Sequence, residues 1–374
     1  MTPQTIILYL FLAAAGVQAL YYLLLFSRFA WSNGKTAESA ASDGSEPLSV
    51  VICARNEADN LMENLPLIFA QDYPNFEVVV VNDASWDGTA DVLMAFQAKH
   101  SNLNIVTIKE TPTRFPGKKF ALTLGIKGAS HDLLVLTDAD CRPKSNNWLR
   151  QQAQNFQPGT EVVLGYGAFQ KTRGLLNRLI RFDGFYVALQ YLSFGMWGMP
   201  YMGVGRNLAY RKSLFFKNKG FATHRTIASG DDDLFINEVA TGKNTRIVNH
   251  PHSHTETPGK GTFKEWFMQK RRHITTGVRY KLRDKVLLGL LAASQTGFYL
   301  LFALLLVLGV EPELVLAVFG GRLLLQLLTF GFAMGKLDER DLLYLFPLYE
   351  IILTALYPVL IISNLIMPRP AWKS

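Results

Sequence analysis

Residues 132–140 read DLLVLTDAD: four apolar side chains from Leu133 to Leu136, a threonine, then Asp138 and Asp140 on either side of Ala139. An unbroken apolar run of that length, closed by polar residues, reads as a strand buried on both faces, the habit of parallel sheets covered by helices. Upstream, Leu48–Cys53, Phe76–Val81 and Asn104–Ile108 have the same character, while Ala58–Ala70, Ala90–His100 and Phe120–Ala129 carry helical spacing. The alternation predicts an α/β domain with a mostly parallel sheet. Ligands of such sheets sit beyond the carboxyl ends of the strands. The residues there are Ala54-Arg55-Asn56-Glu57, Asn82-Asp83-Ala84-Ser85 and Asp138-Ala139-Asp140, and each turn is polar and acidic. No G-x-G-x-x-G follows the first strand and no G-x-x-x-x-G-K-[ST] occurs, which argues against dinucleotide and P-loop chemistry.

Around this domain the chain is unusually apolar: 49% of its 374 residues are hydrophobic and 18% charged. Residues 5–26 carry no charge and are long enough to cross a bilayer, and further apolar runs cover 286–309, 313–335 and 342–367. No Lys or Arg precedes the first run, which favours an anchor over a cleaved signal. The expected organisation is an anchor at 1–30, a polar linker at 31–46, a domain at 47–280 and a membrane region of about three spans at 281–374. Arg28 and Lys35 flank the first span, and Arg279, Lys281, Arg283 and Lys285 precede the second, which places the domain in the cytoplasm, on a bacterial plasma (inner) membrane. Lys336–Arg340 then falls inside and Glu311/Glu313 outside, whereas Arg369 and Lys373 in the tail run against the rule. The net charge of +8 clusters beside the spans, which fits anionic lipid headgroups and sugar phosphates rather than nucleic acid. Cys53 and Cys141 read as buried free thiols. Glu350, between Pro347 and Pro358, stands out as a mid-membrane carboxylate, and the spans read as lacking paired charges, against a transporter.

Several side chains carry candidate chemistry. Asp138 and Asp140 at a strand end can offer oxygens to one Mg²⁺ or Mn²⁺, or form a solvated acidic turn. Asp83 can accept hydrogen bonds from a base or ribose, or cap the next helix, for which Ser85 and Asp87 are equally suited. Asp231, Asp232 and Asp233 open a helix that runs to about Ala240; three adjacent carboxylates exceed what a cap requires, and one can act as general base. Of the alternating His250, His252 and His254, His252 is the metal-ligand candidate. In Gln269-Lys270-Arg271-Arg272-His273, a snorkelling basic helix explains Lys270 and Arg271, and a guanidinium can clamp a diphosphate.

In this order the motifs resemble family 2 of the glycosyltransferases, inverting enzymes with a GT-A nucleotide-sugar fold, over residues 48 to about 276, with flanking spans like those of membrane-bound members. The resemblance implies that Ala54, Arg55 and Glu57 lie on the first nucleotide-contacting turn and that Asp83 reads the base. It makes Lys118 the lysine near the phosphates, Asp138 and Asp140 the D-x-D, with Asp140 the direct metal ligand, and Asp232, beside Asp231, the catalytic base. Gln269, Arg272 and His273 resemble a Q-x-x-R-W motif with His in place of Trp, which implies catalytic roles for Gln269 and Arg272 and sets His273 at the acceptor channel. Gly205 and Asn207 fall in Gly203–Arg211, which resembles the acceptor-lining segment, and Leu175–Trp197 resembles an interface helix, with an ordinary core helix as the alternative. Thr255–Pro258 resembles a further family stretch.

The function expected is therefore transfer of a sugar, with inversion, from a UDP- or GDP-sugar to a lipid or glycan acceptor among membrane lipids, with Mg²⁺ or Mn²⁺ as cofactor. A processive polysaccharide synthase and a non-catalytic membrane sugar-nucleotide-binding protein are the alternatives, and a nucleotidyltransferase is disfavoured by the lack of a Gly-rich loop after the first strand.

Overall fold

The computed structural model describes residues 1–32, 46–110 and 117–367. Residues 33–45, which hold most of the expected linker with Lys35, and the tail with Arg369 and Lys373 lie outside the described residues.

Helix α1 (Pro3–Leu20) passes through a π-helical turn (Tyr21–Phe26) into α2 (Ser27–Ala30). A βα alternation follows: β1 (Leu48–Ala54), α3 (Ala58–Phe69), β2 (Phe76–Asp83), α4 (Thr89–Gln97), β3 (Leu103–Ile108), α5 (Lys119–Gly128) and β4 (Leu133–Asp138). Next come β5 (Arg142–Pro143), α6 (Trp148–Ala153), β6 (Val162–Leu164), β7 (Gly167–Phe169), α7 (Leu175–Met196), β8 (Leu208–Arg211), α8 (Lys212–Lys217) and α9 (Asp233–Val239). The chain continues through β9 (Thr245–Ile247), β10 (Thr255–Thr257) and α10 (Phe263–Ile274) to α11 (Leu282–Val307), α12 (Pro312–Lys336) and α13 (Phe346–Ile366).

The seven-stranded sheet has the order β3-β2-β1-β4-β8-β6-β9. Its first four strands are parallel; β8 runs antiparallel between β4 and β6. A smaller sheet, β5-β10-β7, stands beside it. Alternation along β1 decides the layers. Leu48, Val50 and Ile52 point into one core with Leu61 and Leu65 of α3 and Trp148 of α6, and Val51 points into the other with Leu122 and Ile126 of α5.

That second core continues without a break into the membrane helices. Ile180, Phe182, Phe185 and Leu189 of α7 share it with Tyr22, Phe26, Phe330 and Tyr349. Helix α7 is thus a core helix pressed between sheet and bundle, and its aromatic residues, each worth about 1.5–3 kcal/mol when buried, join the two parts into one body.

Among the described residues, four helical segments are long and apolar enough to cross a membrane: Pro3–Ala30, Leu282–Val307, Pro312–Lys336 and Phe346–Ile366. Leu300, Leu324, Ile361 and Leu365 are exposed on their outer faces, as lipid-facing side chains are. Their inner faces hold charge. Arg322 of α12 pairs with Glu350 of α13 at 2.5 Å, and both are buried. The expectation that the spans lack paired charges is therefore corrected; Arg322 went unread because its partner lies on the next helix. Around the pair, Gln18 accepts from Arg322 Nε (2.7 Å), Tyr299 donates to Glu350 (2.5 Å), and Gln295 links Glu350 to Tyr186 of α7.

The loop from α12 to α13 is clasped by the domain: Arg181 of α7 pairs with Glu339 (2.5 Å) and Asp341 (2.6 Å), and Lys144 with Asp338 (2.7 Å). Helix α10 docks on α13. Lys270 pairs with Asp183 (2.8 Å), and Arg271 donates to Ser363 O and Asn364 Oδ1 (both 3.1 Å). Both basic residues are buried docking groups, not the snorkelling surface expected from sequence.

Candidate functional site

In a sheet ordered 3-2-1-4 the chain leaves β1 outward to β2 and β3, then returns to its other side with β4. The crevice between the carboxyl ends of β1 and β4 is the switch point where such sheets bind ligands. Cys53 of β1 is paired in register with Asp138, the last residue of β4, and Ala54 with Asn82 of β2. The turns after β1, β2 and β4 therefore open on one crevice.

The turns after β1 and β2 latch to each other. Asn56, at φ 55°, donates its N–H to Ser85 Oγ (3.0 Å) and accepts from Trp86 N–H (3.0 Å). Glu57 N–H donates to Thr89 Oγ1 and Ala58 N–H to Asp87 Oδ2, so Thr89 and Asp87 meet the first N–H groups of α3, whereas the N-cap of α4 is Gly88 and no side chain caps it. Arg55 and Glu57 are half-buried on this turn, and Glu57 accepts from Asn60 (2.6 Å). Asp83 is buried at the end of β2.

Lys118, at the start of α5, draws two acidic clusters together. Its Nζ lies 2.6 Å from Asp138 Oδ1 and 3.1 Å from Asp231 Oδ2. Those carboxylates, with Asp232, hold its ammonium well above the usual lysine range against desolvation. The neighbouring Lys119 does different work: buried, it donates to the carbonyls of His224, Ile227 and Ser229 and so fastens the loop leading to the acids. Burial lowers it to about 8. Gly117 has φ +81°, and a Cβ there would collide with the carbonyl oxygen of Ala228, so only glycine lets this loop and α5 meet.

Asp232 is the N-cap of α9, accepting from Asp233 N–H, and its other oxygen accepts from Gly205 N–H (both 2.8 Å). Burial, then Asp231 and Asp233 beside it, push its carboxyl up to about 7, against the pull of Lys118 and the Gly205 N–H. A carboxylate poised there can accept a proton near neutral pH. Lys118, Gly205, Asp231 and Asp232 line one small pocket with Cys53 and Thr137. Burial lifts the Cys53 thiol to about 12, so it stays neutral. On α10, Gln269 and Arg272 are half-buried; Arg272 Nε is buried with no hydrogen-bond partner among the described residues, and burial lowers its pKa against the opposing charges of Asp231, Asp232 and Asp138.

Among the described residues the potential metal-ligating group is Asp138, Asp140 and Cys141, whose ligand atoms lie within 4.8 Å of one another. Burial, then the charges of Asp138 and Glu57, push Asp140 above the usual carboxylate range, the mark of acids crowded where a cation would relieve them. The residues fit a hard divalent cation on Asp140 and Asp138, although Lys118 already engages one Asp138 oxygen. His252 is not in this group: it is exposed and bonds Ser145 Oγ (2.8 Å). Of the expected acceptor residues, Gly205 lies in the pocket and His273 is exposed on α10. Asn207 is fully buried instead, donating to Tyr166 O and Ser253 O and accepting from Trp148 and Gln152. Its hydrogen-bonding capacity is spent on the scaffold. Sequence reading passed over Lys119, whose role rests on carbonyls more than a hundred residues away, a contact with no local signature.

The domain's pattern matches a known family model. Residues 49–228 fit the family described as glycosyl transferase family 2. This domain is one of glycosyltransferase family 2. The chain is 28% identical over 232 residues to "Probable glycosyltransferase YdaM" of Bacillus subtilis (strain 168), covering 60% of this chain and 54% of that protein. It is 32% identical over 130 residues to "Glycosyltransferase AglE" of Haloferax volcanii, covering 34% of this chain and 41% of that one. The chain thus matches about half or less of the length of these curated relatives. A solved structure, the mannosyltransferase PcManGT from Pyrobaculum calidifontis in complex with GDP-Man and Mn²⁺, superposes over 97% of this chain and 99% of its own with a TM-score of 0.62 at 22% identity. That likeness extends the GT-A fold to the flanking apolar helices.

Proposed function

We propose that this chain transfers a sugar, with inversion, from a nucleotide sugar to a hydroxyl of a lipid-linked acceptor at the cytoplasmic face of a bacterial plasma membrane. The observation that carries the reading is the Lys118 bridge, which sets Asp138 of the D-x-D and Asp231 beside Asp232 around one ammonium at the switch point.

The acceptor hydroxyl gives its proton to Asp232, whose position is fixed by the Gly205 N–H. The freed oxygen attacks the anomeric carbon from the face opposite the diphosphate; the new C–O bond forms as the bond to the phosphate oxygen breaks, and a nucleoside diphosphate leaves. Lys118 and Arg272 supply positive charge toward that leaving group. Ala54, Arg55, Glu57 and Asp83 hold the nucleoside, with His273 and Gln269 toward the acceptor. A Mg²⁺ or Mn²⁺ held by Asp140 and Asp138 would supply further charge neutralisation on the diphosphate.

A UDP- or GDP-sugar is the proposed donor; the GDP-Man bound by the PcManGT structure supports this class. Basic groups on the domain side of the bundle, Arg28, Lys336 and Arg340, support the cytoplasmic placement. The test is to incubate membranes containing the chain with a panel of radiolabelled nucleotide sugars and to extract lipid and polymer separately. Label in the lipid fraction from one donor, lost in Asp232→Asn, supports the reading; no transfer from any donor overturns it.

A further inference from the structure

The residue after the proposed base is itself held in an unusual way. Asp233 is buried, and its Oδ2 accepts two hydroxyl hydrogen bonds, from Tyr280 (2.7 Å) and from Thr276; its Oδ1 accepts from Leu234 N–H (2.7 Å). Thr276 and Tyr280 belong to the junction that joins α10, which carries Gln269 and Arg272, to the membrane helix α11. One turn further along α9, Asn237 repeats the attachment: its Nδ2 donates to Asp284 (2.9 Å) and its Oδ1 accepts from Lys281 N–H (2.9 Å). Asp284 sits in the first turn of α11 and is fully buried. A helix of only seven residues has little stability of its own, so these attachments decide where its first residues lie.

We propose that Asp233 is a positioning residue that, through Tyr280 and Thr276, ties the base Asp232 to the junction between α10 and the membrane helix α11. Base and diphosphate clamp then move as one unit with the bundle, and the pocket is set by the membrane anchor. The inference rests on the reading of Asp232 as base. Asp233 acts in a second way, because its charge faces Asp232 at close range. The other charged and titratable groups around Asp232 are Asp231 on its own segment, Lys118 on α5 and Arg272 on α10. Tyr191 of α7 and Tyr210 of β8 also face it, and Lys119 faces all three acids. Asp233 is among those that raise Asp232, so removing its charge lowers the pH at which Asp232 ionises.

The experiment uses the full chain in detergent micelles and follows release of nucleoside diphosphate from GDP-mannose and UDP-N-acetylglucosamine against pH, with Asp233→Asn, Tyr280→Phe and Thr276→Ser. Tyr280→Phe removes one hydroxyl and guards against a variant that does not fold. The expected result is a fall in kcat of about tenfold for Asp233→Asn and several-fold for Tyr280→Phe, with donor KM held within about twofold and near-normal kcat in Thr276→Ser. The acid limb of the Asp233→Asn profile moves to lower pH, a shift that a merely structural role would not produce. Folded Asp233→Asn and Tyr280→Phe proteins with unchanged kcat and an unmoved limb overturn the inference while Asp232→Asn remains inactive. Activity in Asp232→Asn overturns the reading of the base instead.

Discussion

Lys118 Nζ stands 3.1 Å from a carboxylate oxygen of Asp231, joining the start of α5 to the acids that precede α9. The same ammonium reaches Asp138, so one cation separates the D-x-D from the proposed base. Close-set acids of this kind repel strongly when nothing lies between them.

Replacing Lys118 should therefore act in opposite directions on two ligands. Lys118→Met should lower kcat/KM for the donor about 10²-fold, the scale of losing one charge aimed at a leaving group. It should also strengthen Mn²⁺ binding in the absence of donor, because Asp138 is released to the cation. Calorimetry of Mn²⁺ with wild-type and Lys118→Met protein measures the second effect; weaker binding in the variant contradicts it.

Transfer should depend on an ionised Asp232, whose carboxyl is pushed up to about 7 by burial, Asp231 and Asp233. A base works in its deprotonated form, so kcat should level off above that pH and fall about tenfold per unit well below it. A pH profile of kcat checks this, and a flat profile between pH 5 and 8, on the order of the range a shifted carboxyl would span, counts against the assignment.

The Arg322–Glu350 pair should matter more when broken than when replaced. Arg322→Met leaves Glu350 buried with Tyr299 and Gln295 but no cation, a loss of about 3–5 kcal/mol. The double variant Arg322→Met/Glu350→Leu should recover much of that. Thermal unfolding in detergent reads both; equal losses in single and double variants argue against the pair.

Lys119 offers a test of the loop that leads to the acids. Lys119→Met strands the His224, Ile227 and Ser229 carbonyls it now bonds, each unmet buried group worth about 1–3 kcal/mol. Hydrogen exchange should rise at residues 222–232 in this variant while the strands β1, β2 and β4 keep their protection.

The strands nearest the site were legible because they are long and wholly apolar: β1, β2 and β4 agree with the sequence reading to within a residue or two at each end. The membrane helices were legible for the same reason of length. The short strands β5, β6, β7, β8 and β10, of two to four residues, carry no periodicity to read, and their pairing is fixed by contacts distant in sequence. At the site, strand ends pointed to Asp138 and Asp140, and the resemblance pointed to Lys118 and Asp232. The resemblance did not separate Asn207, which fastens the scaffold, from a residue that lines a pocket. The tie of Asp233 to Tyr280 and the pairing of Arg322 were not legible, because each has meaning only through a partner distant in sequence.

The most direct measurement is the initial rate of sugar transfer by Asp232→Asn relative to wild type, above pH 8, with donor binding measured on the same preparations. General-base loss predicts a drop of about 10²–10⁴-fold with donor affinity retained. A rate close to that of wild type would show that the acceptor gives up its proton without Asp232, and the proposed mechanism would fail.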